Sequence, residues 1–549
     1  MKNIYQILFL LITLNYGFVK AQDVKNFYSI RDSISGQAIY NHLKILADDS
    51  LQGRGVGSTG ERIAAEYITR QFQKYGLEKI PSEDSFYQDI PMHGSYPLES
   101  SELTLYSGAD TFKLKYAEDY FLYRSGQQTF IPVSLPLVFV GYGIIAPEYD
   151  YNDYQSVNVE GKIVVYIDGE PLSEDEDYFN GKFPTIYSYP ESKRKIALGR
   201  GAAGTIQISL NGADSWESVI KDFSFEDVTL AYSPSSNLSV ILNPDIAYIL
   251  FSESGFTFRD ILDMHLNHSM KSFELKPRLK FKGVFKERDF LASNVIGIIR
   301  GSDPELNDTY LIVSAHYDHL GIGLPVDGDS VYNGALDNAI GVSVLLELAK
   351  SFSELNIKTK RSIIFIATTG EEKGLLGSIY YTDNPIVPLY KTIADVNIDG
   401  VAFFRDFKSL IGIGSEYSTL GDFLKITAEK YDLTLQGIPP QFRNFDAFNN
   451  SDQLAFAMAG IPSIIVLEGL KNLTKTEDEV VDAFINYFNT NYHSPFDDLK
   501  QNIDKEAAAK HAKVLFDFCY ELADQFKTPE WKSGSPYISA RLRTNAEKR

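Results

Sequence analysis

The sequence predicts an α/β fold: a mostly parallel mixed sheet covered by helices on both faces, interrupted by a β-rich insertion. Three observations predict it. From residue 294 onward, the apolar runs "NVIGIIRG", "TYLIVSAHYD", "SIIFIATTG" and "TIADVNID" are separated by long helical patterns. Strands that are apolar on both faces and alternate with helices indicate a doubly covered, largely parallel sheet. Two further helical patterns stand near the N-terminus, far from those strands. Between them, from about 98 to 285, lie short strands and turn-rich, aromatic and acidic loops. The simplest architecture is one α/β domain split by an insertion, with the N-terminal helices packed on the same sheet as the C-terminal half.

In chain order, "MKNIYQILFLLITLNYGFVKAQD" reads as an export signal at residues 1–21. A lysine precedes an apolar stretch, and Val19-Lys20-Ala21 fits the small-residue rule for cleavage after Ala21. The apolar run is too short to span a bilayer comfortably. Residues 34–77 carry "AIYNHLKILADD" and "GERIAAEYITRQFQKYGL", two helices separated by the polar, glycine-rich "SLQGRGVGSTG". Gly76 supplies the stop of the second. "LPLVFVGYGI" and "GKIVVYIDG" are strands of the insertion, and "SEDEDYFNG" is one of its loops. Helices are expected over 335–355, 419–431 and 505–526, followed by a loose basic tail at 531–549. No later segment stays apolar for about 20 residues, so no stable membrane insertion is expected once the signal is cleaved.

Composition narrows the function. The 73 acidic residues exceed the 52 basic ones, giving a formal charge of −21. That surface argues against nucleic acid or anionic membrane as a partner. Cys519 is the single cysteine. No intrachain disulfide is therefore possible, and for an exported chain this points to a periplasmic or similar compartment. Any metal site must be built from His, Asp and Glu.

Such residues gather where the fold places them at strand ends, which is where open α/β sheets carry their functional groups. "LIVSAHYDHLG" ends in His316 and Asp318, and "NGALDNAIG" places Asp337 at the mouth of a helix. "IIFIATTGEE" ends in Glu371 and Glu372, "IADVNIDG" in Asp399, and "NYHSPFDD" brings His493 before the final helix. Each has an ordinary explanation alone: a helix cap for Asp337, a turn former for Asp399, a solvated pair for the glutamates. Together they supply what a pair of zinc or similar ions needs, two imidazoles and several carboxylates with room for water. Adjacent carboxylates on an extended chain would point apart, separating two jobs.

The ordered set His-x-Asp, Asp-Asn, Glu-Glu, Asn-x-Asp and Tyr-His, with "SDQLAFAMAGIPSIIV" at 451–466, resembles the M28 family of zinc metallopeptidases. The resemblance runs from about residue 34 to 526. It implies a di-zinc site in which His316 and Asp399 bind one metal, Glu372 and His493 the other, and Asp337 bridges both. It makes Glu371 the general base and Asp318 the carboxylate that holds the imidazole of His316. His319 forms an H-x-x-H with His316, but the family pattern gives it no ligand role. Gln453 stands where many relatives carry His, and Phe448, Asn449 and Asn450 where some aminopeptidases carry an oxyanion-assisting Tyr. The stretch from "FVGYGIIAPEYDYNDYQ" through "KRKIALGRGAAGTIQIS" resembles a protease-associated (PA) domain, which in this family is inserted into the catalytic domain and is expected to border its cleft. The implied organisation is a signal at 1–21, catalytic domain at 22–120 and 286–530, and PA insertion at 121–285. The implied activity is an exported exopeptidase acting on peptides, foremost an aminopeptidase. Carboxypeptidase or dipeptidase activity, a single-zinc glutaminyl cyclase and a non-catalytic binding protein are the competing readings.

Overall fold

The computed structural model describes residues 25–548 apart from 83, 124–129, 176, 180, 182–184, 211–215, 217–218, 221–222, 234–236, 440–441 and 443–447. The export signal expected at 1–21 lies outside the described residues. The chain forms two compact units. One comprises residues 1–90, 292–441 and 447–549, the other 91–291 with 442–446.

The first unit contains helices α1 (Gly36–Leu46) and α2 (Thr59–Tyr75), then strands β1 (Tyr87–Pro97) and β2 (Phe285–Ile299), which run across the division between the units. It continues with β3 (Tyr310–His316), α3 (Ile340–Ser353), β4 (Ser362–Thr368), α4 (Leu376–Asp383) and β5 (Thr392–Asn397). Then follow β6 (Ser409–Ile413), α5 (Leu420–Glu429), β7 (Thr434–Gln436), α6 (Gln453–Met458) and β8 (Ser463–Glu468). Helices α7 (Glu477–Thr490), α8 (Lys505–Asp524) and α9 (Ile538–Ala546) complete it.

Its strands pair in the order β1-β2-β4-β3-β5-β8-β6-β7. The central four, β4, β3, β5 and β8, are mutually parallel, while β2 and β6 pair antiparallel with their inner neighbours. Alternate residues of one strand enter different cores. Leu311, Val313 and Ala315 of β3 pack with α1, α2, α3 and α8, whereas Tyr310 and Ile312 pack with Tyr381 of α4 and Phe456 of α6. Both faces are therefore covered, which is why these strands read as continuous apolar runs. The registers Ala315 to Ala367 and Ser314 to Asn397 bring the ends of β3, β4 and β5 level.

The helix expected from 335 begins later. Residues 335–339 form a distorted turn in which Asp337 and Asn338 leave helical geometry, and regular helix starts at Ile340. The Asp497 carboxylate accepts the main-chain N–H groups of Leu336 and Asp337 at 3.0 Å, diverting them from a helical ladder. The tail at 531–549, expected to be loose, carries α9. Ala540 and Thr544 of that helix are buried, Thr544 Oγ1 donates to the Ala459 carbonyl, and Trp531 Nε1 donates to the Gly460 carbonyl. Composition reads the segment as loose because most of it is polar, but these few anchors suffice to dock it.

The second unit is built on an eight-stranded mixed sheet whose centre, Phe130–Val140, Ile163–Ile167, Gly204–Ile208 and Leu238–Leu242, is parallel. Helix Pro190–Gly199 connects two of these strands and buries Lys193, whose ammonium donates to the carbonyls of Ile167 and Gly169. Strands at residues 102–122 belong to this unit, so the boundary falls at 90/91 rather than near 120.

Candidate metal centre

The carboxyl ends of β3, β4 and β5 deliver His316, the Glu371-Glu372 pair and Asp399 to one place, and the loops before α3 and α8 add Asp337 and His493. The Asp337 carboxylate is central. Its Oδ1 lies 3.2 Å from His316 Nε2, which is itself 3.4 Å from Asp399 Oδ1. Its Oδ2 lies 3.4 Å from His493 Nε2, which is 3.2 Å from Glu372 Oε2. One carboxylate thus presents a different oxygen to each of two histidine–carboxylate pairs.

Glu371 and Glu372 do not sit on an extended chain. β4 ends at Thr368, Gly370 takes φ +70°, and the N–H groups of Gly374 and Leu375 donate back to the Glu371 carbonyl. The turn brings both carboxylates to His316, with ligand-type atoms of all three within 4.8 Å. Asp318 secures the turn: its Oδ1 accepts the Glu371 N–H at 3.2 Å and its Oδ2 the Glu372 N–H at 3.4 Å. Its carboxylate is 3.9 Å from His316 Nδ1, while its main-chain carbonyl is closer, at 3.2 Å. Asp318 therefore touches His316 through its backbone and the glutamate turn through its side chain.

The electrostatics follow from burying many carboxylates together. Burial opposes charging of His316, but Glu371, Asp337 and Asp399 outweigh it and raise its pKa well above the usual value. Burial also pushes Asp337 up, yet hydrogen bonds from His316 and His493 hold it well below the carboxylate range. Glu371 is raised well above that range by burial and by repulsion from Glu372, Asp399 and Asp452. Burial takes Asp318 to about 7. This excess of buried negative charge, with His316 Nε2 set between the Asp337 and Asp399 carboxylates, is what divalent cations would relieve. The nitrogen and oxygen donors suit zinc.

Several supporting residues have no clear signal in the sequence. Arg54, in the glycine-rich loop, is fully buried and donates to the carbonyls of Tyr317, Leu46, Asn333 and Gly334. Glu61 accepts from the Gly57 N–H and from the Thr369 hydroxyl, just before the glutamate turn. Tyr492 stacks on His493 with ring centroids 3.9 Å apart; burial holds its phenol neutral, and the nearby carboxylates of Asp337, Glu372 and Glu371 add to that effect. The His-to-Gln departure is absorbed locally, because Gln453 accepts from Asn397 Nδ2 and donates to the Phe448 carbonyl. Phe448 is core, packed on Tyr417 and Tyr537.

Buried imidazoles and carboxylates at the carboxyl ends of a mostly parallel α/β sheet form a donor set that could hold metal ions. Residues 294–519 match the model of Peptidase family M28. An 86-residue stretch is 40% identical to a "Probable zinc metalloprotease" of Pyrenophora teres f. teres (strain 0-1), covering 16% of this chain and 17% of that protein. A 240-residue stretch is 27% identical to "Aminopeptidase YwaD" of Bacillus subtilis (strain 168), covering 44% of this chain and 46% of that protein. The chain thus spans less than half the length of these curated relatives. Among solved structures, the aminopeptidase from Aneurinibacillus sp. strain AM-1 shares the fold with a TM-score of 0.54 at 19% identity, over 91% of this chain and 97% of that one.

Proposed function

We propose that the chain is an exported di-zinc exopeptidase, an aminopeptidase that releases N-terminal residues from peptides. The observation that carries this reading is the Asp337 carboxylate, with Oδ1 toward His316 and Asp399 and Oδ2 toward His493 and Glu372. In this reading His316 and Asp399 hold one zinc, His493 and Glu372 the other, and Asp337 both. Bound zinc would polarise the scissile carbonyl and bring the pKa of water toward neutrality.

The chain's own residues do the rest. Glu371 takes a proton from the attacking water and returns it to the leaving amine. Asp318 fixes the backbone of the glutamate turn through two main-chain N–H groups, which sets where the Glu371 side chain starts. Tyr492 stacks on the imidazole of His493 and restrains its ring. Residues 1–21 are read as the export signal, which directs the chain to a periplasmic or secreted location. Among the described residues no helix is long and apolar enough to cross a membrane. The β-rich second unit, residues 91–291, is read as a PA domain.

The test is cleavage of a mixed peptide library read by mass spectrometry, comparing the parent with Glu371→Gln. Loss of N-terminal residues, reduced about 10²–10⁴-fold in the variant, is expected. Trimming from the carboxyl terminus would overturn the aminopeptidase assignment, and an unimpaired variant would remove Glu371 as base.

A further inference from the structure

His319 is a buried histidine at the site to which the proposed ligand set gives no task. Its ring is fully buried, and Nδ1 lies 2.6 Å from Glu372 Oε1. An ionised carboxylate can only accept, so Nδ1 is the donor. The other oxygen of the same carboxylate, Oε2, faces His493 Nε2 at 3.2 Å. Glu372 is therefore divided between two imidazoles, one on each oxygen. Asp337 Oδ2 is 4.0 Å from His319 Nδ1, beyond hydrogen-bond reach.

The ring is braced from behind. A Cβ on Gly334 would stand 2.5 Å from His319 Cγ and 2.6 Å from Cδ2, so the imidazole packs directly against bare backbone. The His319 N–H donates to the Arg54 carbonyl, tying the residue to the glycine-rich loop. Among the described residues His319 Nε2 has no hydrogen-bond partner, which leaves the bond to Glu372 as the polar task of the ring. An imidazole held this way cannot follow the carboxylate if it rotates.

We infer that His319 is a positioning residue: it holds Glu372 Oε1 and thereby reserves Oε2 for the zinc on the His493 side, setting the affinity of that site. The inference rests on the two-zinc reading. His319, Asp337 and Glu372 can also bring ligand-type atoms within 4.8 Å of one another, so direct ligation by His319 is the competing role that the test must separate.

The experiment is zinc titration of apoprotein in competition with a chelator, followed by calorimetry, with thermal melting alongside. The parent is expected to bind two equivalents. His319→Leu, which deletes the donor, should weaken one equivalent about 10–100-fold and leave the other unchanged. His319→Asn, whose amide nitrogen falls near the Nδ1 position, should restore that equivalent to within about threefold of the parent, by the same reasoning about outer-shell partners. His319→Gln moves the amide off that position; it should behave as the Leu variant and serves where Leu unfolds. Unchanged zinc affinities with only a lowered melting temperature would overturn the inference in favour of packing. An Asn variant as weak as Leu would overturn it in favour of direct ligation. A parent that takes up one equivalent would defeat the two-zinc reading instead. The inference would then survive only if Leu weakens that single equivalent and Asn restores it.

Discussion

Replacing Arg54 with methionine removes a guanidinium that is fully buried and bonded to main-chain carbonyls from separate segments of the first unit. Its Nε donates to Tyr317 at 2.7 Å, Nη1 to Leu46 at 2.5 Å and Asn333 at 2.6 Å, and Nη2 to Gly334 at 2.9 Å. All four acceptors lose their guanidinium donor, but the Gly334 carbonyl also accepts from the Ala339 N–H and would keep that bond, so three are left without a donor. Each buried acceptor stripped of its partner costs about 1–3 kcal/mol, which places the loss at roughly 3–9 kcal/mol. Folding stabilities are typically only about 5–15 kcal/mol. Burial lowers the Arg54 pKa to about 10, so it is still charged at pH 7, close to Asp318, Asp497, Asp337 and Glu372. Removing that charge increases carboxylate repulsion, so the penalty should be larger without zinc than with it. Arg54→Lys keeps the charge but not the fork of donors, and should fall between the two. The assay is urea unfolding of parent and both variants, with and without zinc, followed by circular dichroism. An Arg54→Met protein within about 1 kcal/mol of the parent would refute the reasoning, since three unsatisfied carbonyls cannot cost so little.

Other outcomes follow from the same geometry. His511 accepts the Ala402 N–H at Nδ1 and donates from Nε2 to the Val466 carbonyl, and burial depresses its pKa to about 4. The unfolded chain takes up a proton near pH 6.5 while the folded one does not. Stability is therefore full above that pH and is lost progressively toward pH 4, by roughly 3 kcal/mol in total. Urea melts of parent and His511→Gln at a series of pH values check this, and equal pH slopes would count against it. Gly334→Ala should lower stability by at least about 2 kcal/mol, because φ is +58° and the added carbon meets the His319 ring. It should also weaken zinc uptake, which calorimetry reads; a variant matching the parent in both would show that the ring has room to shift.

The fold was legible, and the candidate ligand residues could be nominated, for one physical reason. Apolar runs such as "SIIFIATTG" must be buried on both faces, and a charged residue directly after one has nowhere to go except the end of the sheet. Asp318 was legible as a neighbour of His316, but not its main side-chain task. Its acceptor role depends on the turn at Gly370, whereas adjacency alone implied an extended chain. Arg54 was hidden because a polar, glycine-rich loop reads as exposed, and its partners are carbonyls, which every residue carries. Asp497 was hidden for the same reason, since it bonds main-chain N–H groups. His319 was visible as a histidine but not as a donor to Glu372, because only the folded turn brings the two together. The second unit was recognised from its strands, and its edge was misplaced because residues 102–122 are equally compatible with either neighbour.

The central claim, that Asp337 joins two histidine–carboxylate pairs into a two-metal centre, is tested most directly by counting zinc. Apoprotein is loaded, dialysed exhaustively against buffer, and zinc per chain is measured by inductively coupled plasma mass spectrometry. Two equivalents are expected for the parent and no more than one for Asp337→Asn, whose amide offers a single oxygen. One equivalent in the parent, or two retained in the Asn variant, would contradict the account.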